Sequence, residues 1–261
     1  MSSVVFPLST GHRAPEPPPD GLPLVAVPHA GGTAHAFRGW TAQAHQRGLT
    51  VWGTRTAMPN ETPAGRTVRD RARALAESLA ALDRPYVLVG HSLGGTVAAE
   101  AVLRLERHAP EAVPALLVVC GTNPSHLPRP AALPDGSEAD AVEFLRTVGG
   151  TPAQVLEDRG MRELAVAMLL HDLSSLRGYR WDGSRLTTPT AVYAGRTDPV
   201  APPESLARWA EIAEPVTTRV FGSGHFFPHD RTAEVLDAIR LDLARHRPAD
   251  TVTHPHSAPR P

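Results

Sequence analysis

The stretch over residues 85–95 constrains the fold of this chain more than any other. It places an apolar, β-prone run directly before Gly90-His91-Ser92-Leu93-Gly94, and a helix-compatible segment of small and aliphatic residues follows. A serine on a sharp turn between strand and helix needs neighbours without a Cβ, because the two backbones come close together there. The context therefore predicts a nucleophile elbow with Ser92 as the nucleophile. The competing interpretation is a glycine-rich connecting turn.

The strand before this turn is one of several that alternate with helical patterns. Helical spacing is clearest over residues 67–82, where Val68, Ala72, Leu75 and Leu79 share one face. The alternation predicts βαβ units and a mostly parallel sheet flanked by helices, which is the α/β class. The other predicted strands lie at residues 24–27, 49–54, 116–120, 189–195 and 216–221.

The alternation of strands and helices is interrupted over about residues 125–185. Proline, alanine and glycine come first in this segment, and helical patterns follow without a strand. An insertion of helices between two sheet strands predicts a lid over the site. The predicted domain covers residues 24–246, after an extended proline-rich lead-in at 1–23 and before a disordered tail at 247–261.

A serine hydroxyl needs a base to take its proton and an acid to orient that base. After a nucleophile elbow, the acid and then the base follow along the chain, on loops at the ends of sheet strands. Asp198 directly follows the predicted strand 189–195, and His225 follows the last strand within Gly222-Ser223-Gly224-His225. We therefore predict Ser92, Asp198 and His225 as a catalytic triad.

The acid of this triad has rival candidates. Asp198 could instead cap a turn, which is a common role for aspartate. The rival acid position, in the loop after Cys120, offers no carboxylate, and this absence favours Asp198. Asp172 and Asp182 fall in the predicted lid and are weaker candidates.

Most of the 13 histidines must be surface or packing residues. His91 lies within the elbow but cannot reach round to the adjacent serine as its base. His229 lacks the position at a strand end, and His171 in the lid is interpreted as a polar residue on a helix face. His225 is therefore the predicted base.

An acyl-transfer site also needs N–H donors for the oxyanion that forms during the reaction. The backbone N–H of Leu93, next to the nucleophile, is the first predicted donor. The second comes from the loop Pro28-His29-Ala30-Gly31-Gly32 and is assigned to Ala30, with His29 as the less favoured choice. A glycine turn that serves only strand-to-helix geometry is the competing interpretation of this loop.

With these residues in place, the chain resembles the stand-alone type II thioesterases of polyketide and nonribosomal peptide biosynthesis, which have the α/β-hydrolase fold. The resemblance covers about residues 24–245. It rests on Pro-His-Ala-Gly-Gly with the following Phe-Arg-Gly-Trp at 37–40, on Asp-Arg-Pro-Tyr at 83–86 before the elbow, and on Gly-His-Phe-Phe at 224–227. It implies the same triad, the same oxyanion amides and a lid.

The activity that this resemblance implies is hydrolysis of acyl groups from the phosphopantetheine arm of an acyl or peptidyl carrier protein, through an acyl-enzyme on Ser92. No cofactor and no metal is implied, because the substrate is carried on the partner. The alternatives are transfer of the acyl group to an internal nucleophile with cyclisation, a general carboxylesterase, and a non-enzymatic carrier-binding protein. The complete Ser-Asp-His order argues against the last of these.

Two loops depart from the family pattern. Members commonly have Pro-Gly-Arg where this chain has residues 53–58, and often Ser-Gly-Arg-Arg-Ala-Pro where it has Cys120-Gly121-Thr122-Asn123-Pro124. Both loops are predicted at the strand ends that border the site. Substrate choice and the fate of the acyl group are therefore left open.

Composition restricts the compartment and the partners. A formal net charge of -1 gives no electrostatic case for nucleic acid, and no apolar run has the length of a membrane span. The N-terminus lacks the pattern of a secretory signal, and a single cysteine, Cys120, excludes an intrachain disulfide. A cytoplasmic location is therefore expected, with a monomer favoured and Cys120 interpreted as a buried strand residue.

Overall fold

The computed structural model describes residues 4–8, 21–55, 67–128, 130–134 and 136–246. Its centre is a sheet of seven strands: β1 (Val5–Pro7), β2 (Leu22–Val27), β3 (Leu49–Thr54), β4 (Val87–His91), β5 (Leu116–Cys120), β6 (Thr190–Gly195) and β7 (Val216–Phe221). The spatial order is β1-β3-β2-β4-β5-β6-β7. Strand β1 runs antiparallel to β3, and all other neighbours are parallel.

Eight α-helices occur in the described part of the chain. They are α1 (Thr41–His45), α2 (Val68–Ala80), α3 (Leu93–His108), α4 (Glu138–Val148), α5 (Ala153–Glu157), α6 (Arg159–Ser174), α7 (Phe227–Asp230) and α8 (Thr232–His246). Short 3-10 helices lie at Ala34–Trp40, Pro110–Ala112 and Pro203–Glu211. None of the helices among these residues is both long and apolar enough to cross a membrane.

The sheet is covered on both faces, so its central strands β4, β5 and β6 are buried at every position and mostly apolar. Successive side chains of a strand point to opposite faces. Val87 and Val89 of β4 therefore pack with α1 and α8, whereas Leu88 packs with α2 and α3 on the other side. The predicted α/β class with a mostly parallel sheet is confirmed.

The sheet extends beyond the N-terminal boundary of the predicted domain. Residues 1–23 were expected to lie outside it as a lead-in, but Val5–Pro7 forms an edge strand, and β2 already begins at Leu22. Val5 is buried against the α2 side of the core. The edge strand escapes prediction because three residues carry no periodicity, and only pairing with β3 gives their backbone groups partners. The expectations for residues 9–20 and 247–261 fall outside the described residues.

Helices α4, α5 and α6 all lie between β5 and β6, within the predicted insertion. Their apolar side chains pack into the same core as α2 and α3. Asp158 caps the start of α6, because its side chain accepts a hydrogen bond from the N–H of Met161 at 2.8 Å. Ser137 caps α4 in the same way through the N–H of Asp140. The insertion is therefore a folded helical unit with defined ends.

Candidate active site

Ser92 occupies the turn between β4 and α3 in a strained conformation. Its φ of 56° and ψ of -122° lie in a region that residues with a Cβ rarely adopt, and it has the only positive φ of a non-glycine residue in the described chain. A Cβ on Gly94 would overlap the carbonyl oxygens of Val27 and Pro28. The elbow geometry and the need for glycine beside it therefore agree with the sequence prediction.

The loop after β5 supports this turn. The N–H of Ser92 donates to the carbonyl oxygen of Cys120 at 2.8 Å, and Thr122 Oγ1 donates to the carbonyl oxygen of Ser92 at 2.9 Å. The indole N–H of Trp209 in turn donates to the carbonyl oxygen of Thr122 at 2.9 Å. Burial of Cys120 raises the pKa of its thiol, which is consistent with an inert strand residue.

Asp198 and His225 form a buried pair after β6 and β7. Nδ1 of His225 donates to Oδ2 of Asp198 at 2.8 Å, and each residue is 3% exposed. The other oxygen, Oδ1 of Asp198, accepts from the N–H of Val200 at 2.8 Å and of Ala201 at 3.1 Å. The carboxylate is thus fixed on both sides, and Nε2 is the His225 nitrogen that it leaves available.

Two cavities meet at Ser92. The smaller, of about 60 Å³, is lined by Ser92, Ala30 and His225 together with residues of α4 and α6. The larger, of about 490 Å³, is lined by Ser92 and Leu93, by the loop after β5 and by the chain after α6. All five residues predicted for the site therefore lie at or directly behind one junction, since Asp198 contacts His225.

The rival acids lie in other surroundings. Asp182 forms an ion pair with Arg107 at 2.7 Å. Burial alone would raise the pKa of Asp182, but hydrogen bonds from Ser184 and Arg107 outweigh it and lower the pKa to about 2. Asp172 forms an ion pair with Arg71 at 2.7 Å. The structure does not bring either of these carboxylates to His225 Nδ1.

Asp172 nevertheless connects the helical insertion to the loop that carries Ala30. Its Oδ2 accepts a hydrogen bond from the N–H of Gly31 at 2.8 Å, and it is 4% exposed on α6. Gly31 itself has a φ of +76°, and a Cβ there would lie 3.4 Å from the backbone of Leu169. Sequence reasoning missed this contact, because nothing in the pattern links residues that are 141 positions apart.

His91 is oriented by the loop of the predicted base. Its Nε2–H donates to the carbonyl oxygen of His225 at 2.9 Å. Burial, followed by repulsion from His225 and His29, lowers the pKa of His91 well below its ordinary value, so the ring is neutral. His171 is half-buried on α6 and lines neither cavity at Ser92.

One of the two divergent loops connects the predicted nucleophile to the predicted acid. A Cβ on Gly121 would lie 3.1 Å from Oδ2 of Asp198, and Gly121 has a φ of +58°. Nδ2 of Asn123 donates to the carbonyl oxygen of Val200 at 2.9 Å. Residues 121–123 therefore support both the elbow and the acid loop, a role that the sequence alone did not indicate. Half of the other divergent loop, from residue 56 on, is outside the described residues.

The sheet order, the strained serine and the loops that follow β6 and β7 together define the α/β-hydrolase fold. A family model described as a thioesterase domain matches residues 22–243. The chain belongs to this thioesterase family.

Several of the similar proteins are named for their part in biosynthesis. The chain is 30% identical to part of the AMB antimetabolite synthetase AmbE of Pseudomonas aeruginosa over 85% of its own length, and it spans 11% of that protein. It is 29% identical to the probable cadicidin biosynthesis thioesterase of Streptomyces griseus, covering 87% of this chain and 62% of the other. With the thioesterase PikA5 of Streptomyces venezuelae it shares 28% identity, and 94% and 88% of the two chains are covered.

Solved structures show the same architecture. RedJ, a thioesterase from the prodiginine pathway of Streptomyces coelicolor, is 28% identical with a TM-score of 0.74, covering 91% of this chain and 97% of that one. YbtT, a type II thioesterase from the yersiniabactin pathway, has a TM-score of 0.77 at 24% identity, and 94% and 99% are covered. The second likeness supports the fold alone.

Proposed function

We propose that this chain is a type II thioesterase that hydrolyses acyl groups from the phosphopantetheine arm of an acyl or peptidyl carrier protein in polyketide or nonribosomal peptide biosynthesis. Ser92 is the nucleophile, His225 the general base and Asp198 the acid that orients it. The backbone N–H groups of Ala30 and Leu93 bind the oxyanion. The proposal rests above all on the buried 2.8 Å contact between His225 and Asp198, which lies beside the strained Ser92.

The relatives support the choice of substrate. Similarity over most of the chain to the thioesterase PikA5 and to RedJ, a thioesterase from the prodiginine biosynthetic pathway, supports a thioester substrate in a biosynthetic pathway. The sequence marks at residues 28–32 and 224–227 support the same assignment. The carrier protein is the proposed partner, and its pantetheine arm must reach Ser92 through the cavities beneath α4 and α6.

The proposed reaction has two half-reactions. Ser92 Oγ attacks the thioester carbonyl carbon while its proton passes to Nε2 of His225. The carbonyl oxygen becomes negative and accepts hydrogen bonds from the two backbone N–H groups. The tetrahedral intermediate collapses, and the pantetheine thiol leaves with the proton from His225. Water then attacks the acyl-enzyme, gives a proton to His225 and releases the free acid, after which the proton returns to Ser92.

Replacement of the nucleophile tests this proposal. We expect Ser92→Ala to lower kcat for an acylated carrier protein by about 10⁴-fold or more, because no covalent intermediate can form. Steady-state hydrolysis, with thermal unfolding as the check on folding, measures the effect. Ser205→Ala on the 3-10 helix Pro203–Glu211 is the matched control and is expected to keep full activity.

The products and the labelling pattern separate the alternatives. Mass spectrometry of the released acid should show the addition of one water, whereas a cyclised product would indicate an internal nucleophile instead. Faster turnover of a matched oxygen ester than of the thioester would favour a carboxylesterase. A Ser92→Ala variant with unchanged turnover, or the absence of fluorophosphonate labelling at Ser92, would contradict the mechanism.

A further inference from the structure

Three histidine side chains outside the proposed triad converge behind the active site. They are His29 on the loop before Ala30, His91 on the elbow and His229 on α7. One ring nitrogen from each lies within 4.8 Å of one from each of the others. His91 is fully buried, and the other two are half-buried, so the cluster lies just below the surface.

Hydrogen bonds determine which nitrogens of this cluster are available. Nδ1 of His29 bonds to the carbonyl oxygen of Ala30 at 3.0 Å, and Nε2 of His91 bonds to the carbonyl oxygen of His225 at 2.9 Å. A carbonyl oxygen only accepts, so these two nitrogens carry the protons. Nε2 of His29 and Nδ1 of His91 are therefore left with lone pairs.

Two nitrogens of the cluster lack the partner that a buried polar group requires. Within the described chain, the buried atoms Nδ1 of His91 and Nε2 of His229 have no hydrogen-bond partner. The cluster thus contains buried ring nitrogens without a partner, and the three rings are close enough to share one ion.

This arrangement is the one that metal-binding histidines adopt. A ligating imidazole usually donates its other N–H to a carbonyl or carboxylate oxygen, as His29 and His91 do here. We propose that His29, His91 and His229 bind a divalent transition-metal ion, with Zn²⁺ as the best match to three neutral imidazoles. A fourth position would be open to water.

The cluster needs little rearrangement to close around such an ion. Tetrahedral Zn²⁺ with Zn–N distances of about 2.0–2.1 Å separates its ligand nitrogens by roughly 3.3 Å. The three nitrogens now lie within 4.8 Å of one another and would have to approach to that value when the ion binds. The rings are already held in place, because Phe226 packs against His29 with centroids 4.8 Å apart and Phe37 packs against His229 at 5.3 Å.

A bound ion would join three loops that carry the proposed catalytic groups. His29 precedes Ala30, His91 precedes Ser92, and His229 follows His225 by four residues. None of the triad residues is among the three proposed ligands. His225 accepts a hydrogen bond from His91 through its backbone carbonyl oxygen, and its ring packs beside that of His91 with centroids 5.0 Å apart. The ion would therefore act by fixing the relative positions of these loops, and it would raise the stability of the whole domain.

Metal binding to the full chain tests this inference without any assay of activity. After treatment with a chelator, we expect titration with ZnSO₄ to show a single tight site per chain and a rise of several degrees in Tm at saturation. Addition of Co²⁺ should give the intense visible absorption of a tetrahedral site. His229→Gln is expected to weaken binding at least tenfold, because it removes one ligand.

Two controls make the result specific. His108→Gln, at an exposed histidine on α3, should leave metal binding unchanged. The double variant H254Q/H256Q removes the closely spaced histidine pair near the C-terminus and should also retain the tight site. If tight binding disappears in that double variant while His229→Gln keeps it, the proposed site is wrong.

X-ray absorption of the Zn²⁺-loaded natural chain supplies a measurement that needs no variant. We expect three imidazole nitrogens at about 2.0–2.1 Å. A first shell of water and carboxylate oxygens, or the absence of any Tm shift with Zn²⁺ in the unaltered chain, would overturn the proposal.

Discussion

At the scale of single residues, the Asp198 carboxylate has little freedom. Oδ2 accepts from His225, and Oδ1 accepts from two backbone N–H groups, of Val200 and Ala201. The two N–H groups determine which oxygen faces the histidine, and they also reproduce the turn-capping role that was the alternative for this residue. Asp198 therefore serves the turn and the histidine at the same time, through different oxygens.

The acid can be tested by an isosteric change. We expect Asp198→Asn to lower kcat for acyl-thioester hydrolysis by about 10³–10⁴-fold, because an amide facing Nδ1 favours the wrong tautomer of His225 while the turn persists. Rates of acyl-enzyme formation and thermal unfolding measure the two effects separately. The control is Asp182→Asn, at the rival acid, which should change kcat less than twofold. A large loss of kcat in Asp182→Asn and none in Asp198→Asn would show that Asp182, and not Asp198, is the acid.

At the scale of elements, α6 contacts the proposed active site through Asp172. This carboxylate links α6 to α2 through Arg71 and to the loop of Ala30 through the N–H of Gly31. The contact means that the position of a proposed oxyanion donor depends on the helical insertion. If α6 moved as a lid, it would either break this hydrogen bond or move the loop of Ala30 with it.

Substitution of Asp172 should affect turnover more than substrate affinity. We expect Asp172→Ala to reduce kcat by about 10–100-fold with a smaller change in KM, because a misplaced donor weakens binding of the transition state. Asp172→Asn retains an oxygen that can accept from Gly31 and should recover much of the loss. Parallel losses in both variants, matched by a drop in Tm, would indicate only a structural role.

Helix α8 is fixed to the sheet by a buried carboxylate. Oδ2 of Asp242 accepts from Tyr193 of β6 at 2.7 Å and from Nε of Arg219 of β7 at 2.8 Å. Burial alone would raise the pKa of Asp242, but the hydrogen bonds from Arg219 and Tyr193 outweigh it and hold the pKa below its ordinary value. The folded protein thus favours the ionised form.

The sign of the pH effect follows from that depressed pKa. Ionised Asp242 contributes stability above the ordinary aspartate pKa of about 4, and the contribution is lost as the pH falls below that value. We expect Asp242→Asn to lower the free energy of unfolding by about 3 kcal/mol at pH 7, with a difference from the natural chain that shrinks below pH 4. Urea denaturation at several pH values measures the difference in unfolding free energy and its dependence on pH.

The matched control lies on the same helix. Asp237 pairs with Arg47 at 2.7 Å but is more than half exposed. We therefore expect Asp237→Asn to lower the free energy of unfolding by less than about 1 kcal/mol. An equal loss of unfolding free energy in the two variants would contradict the larger stabilising role of the buried Asp242.

At the scale of the whole molecule, the sheet, the loop after β5 and the helical insertion together enclose the space at Ser92. The larger cavity of about 490 Å³ extends from Ser92 past Leu173 and Leu176 to Trp181. Its walls are mostly apolar side chains from elements distant in sequence. It is the space in which the proposed acyl chain would lie.

Filling this cavity should change chain-length preference. We expect Leu176→Trp to lower kcat/KM for an octanoyl thioester at least tenfold relative to an acetyl thioester, because a bulkier wall displaces the longer chain. Leu164→Trp is the control, since Leu164 on α6 is 57% exposed and lines neither cavity at Ser92. An equal loss for both substrates would show that acyl chains lie elsewhere.

The sequence predicted the class of fold because strand and helix signals are local. Residues 49–54, 116–120 and 216–221 became β3, β5 and β7 with unchanged bounds. The edge strand β1 was missed because its three residues gain a partner only from β3. The sequence also indicates that Ser92, Asp198 and His225 lie close together, since each follows a strand within four residues and parallel strands end at one edge of a sheet.

Sequence by itself therefore determined the elbow, the order of the predicted triad and the family, because each depends on short motifs at strand ends. Only the tertiary structure decided which side chains support them. Asp172 reaches Gly31, Thr122 reaches Ser92, and His29, His91 and His229 converge, although long stretches of chain separate them. Such contacts depend on how the helices pack on the sheet, and that packing joins residues whose spacing in sequence carries no periodic signal.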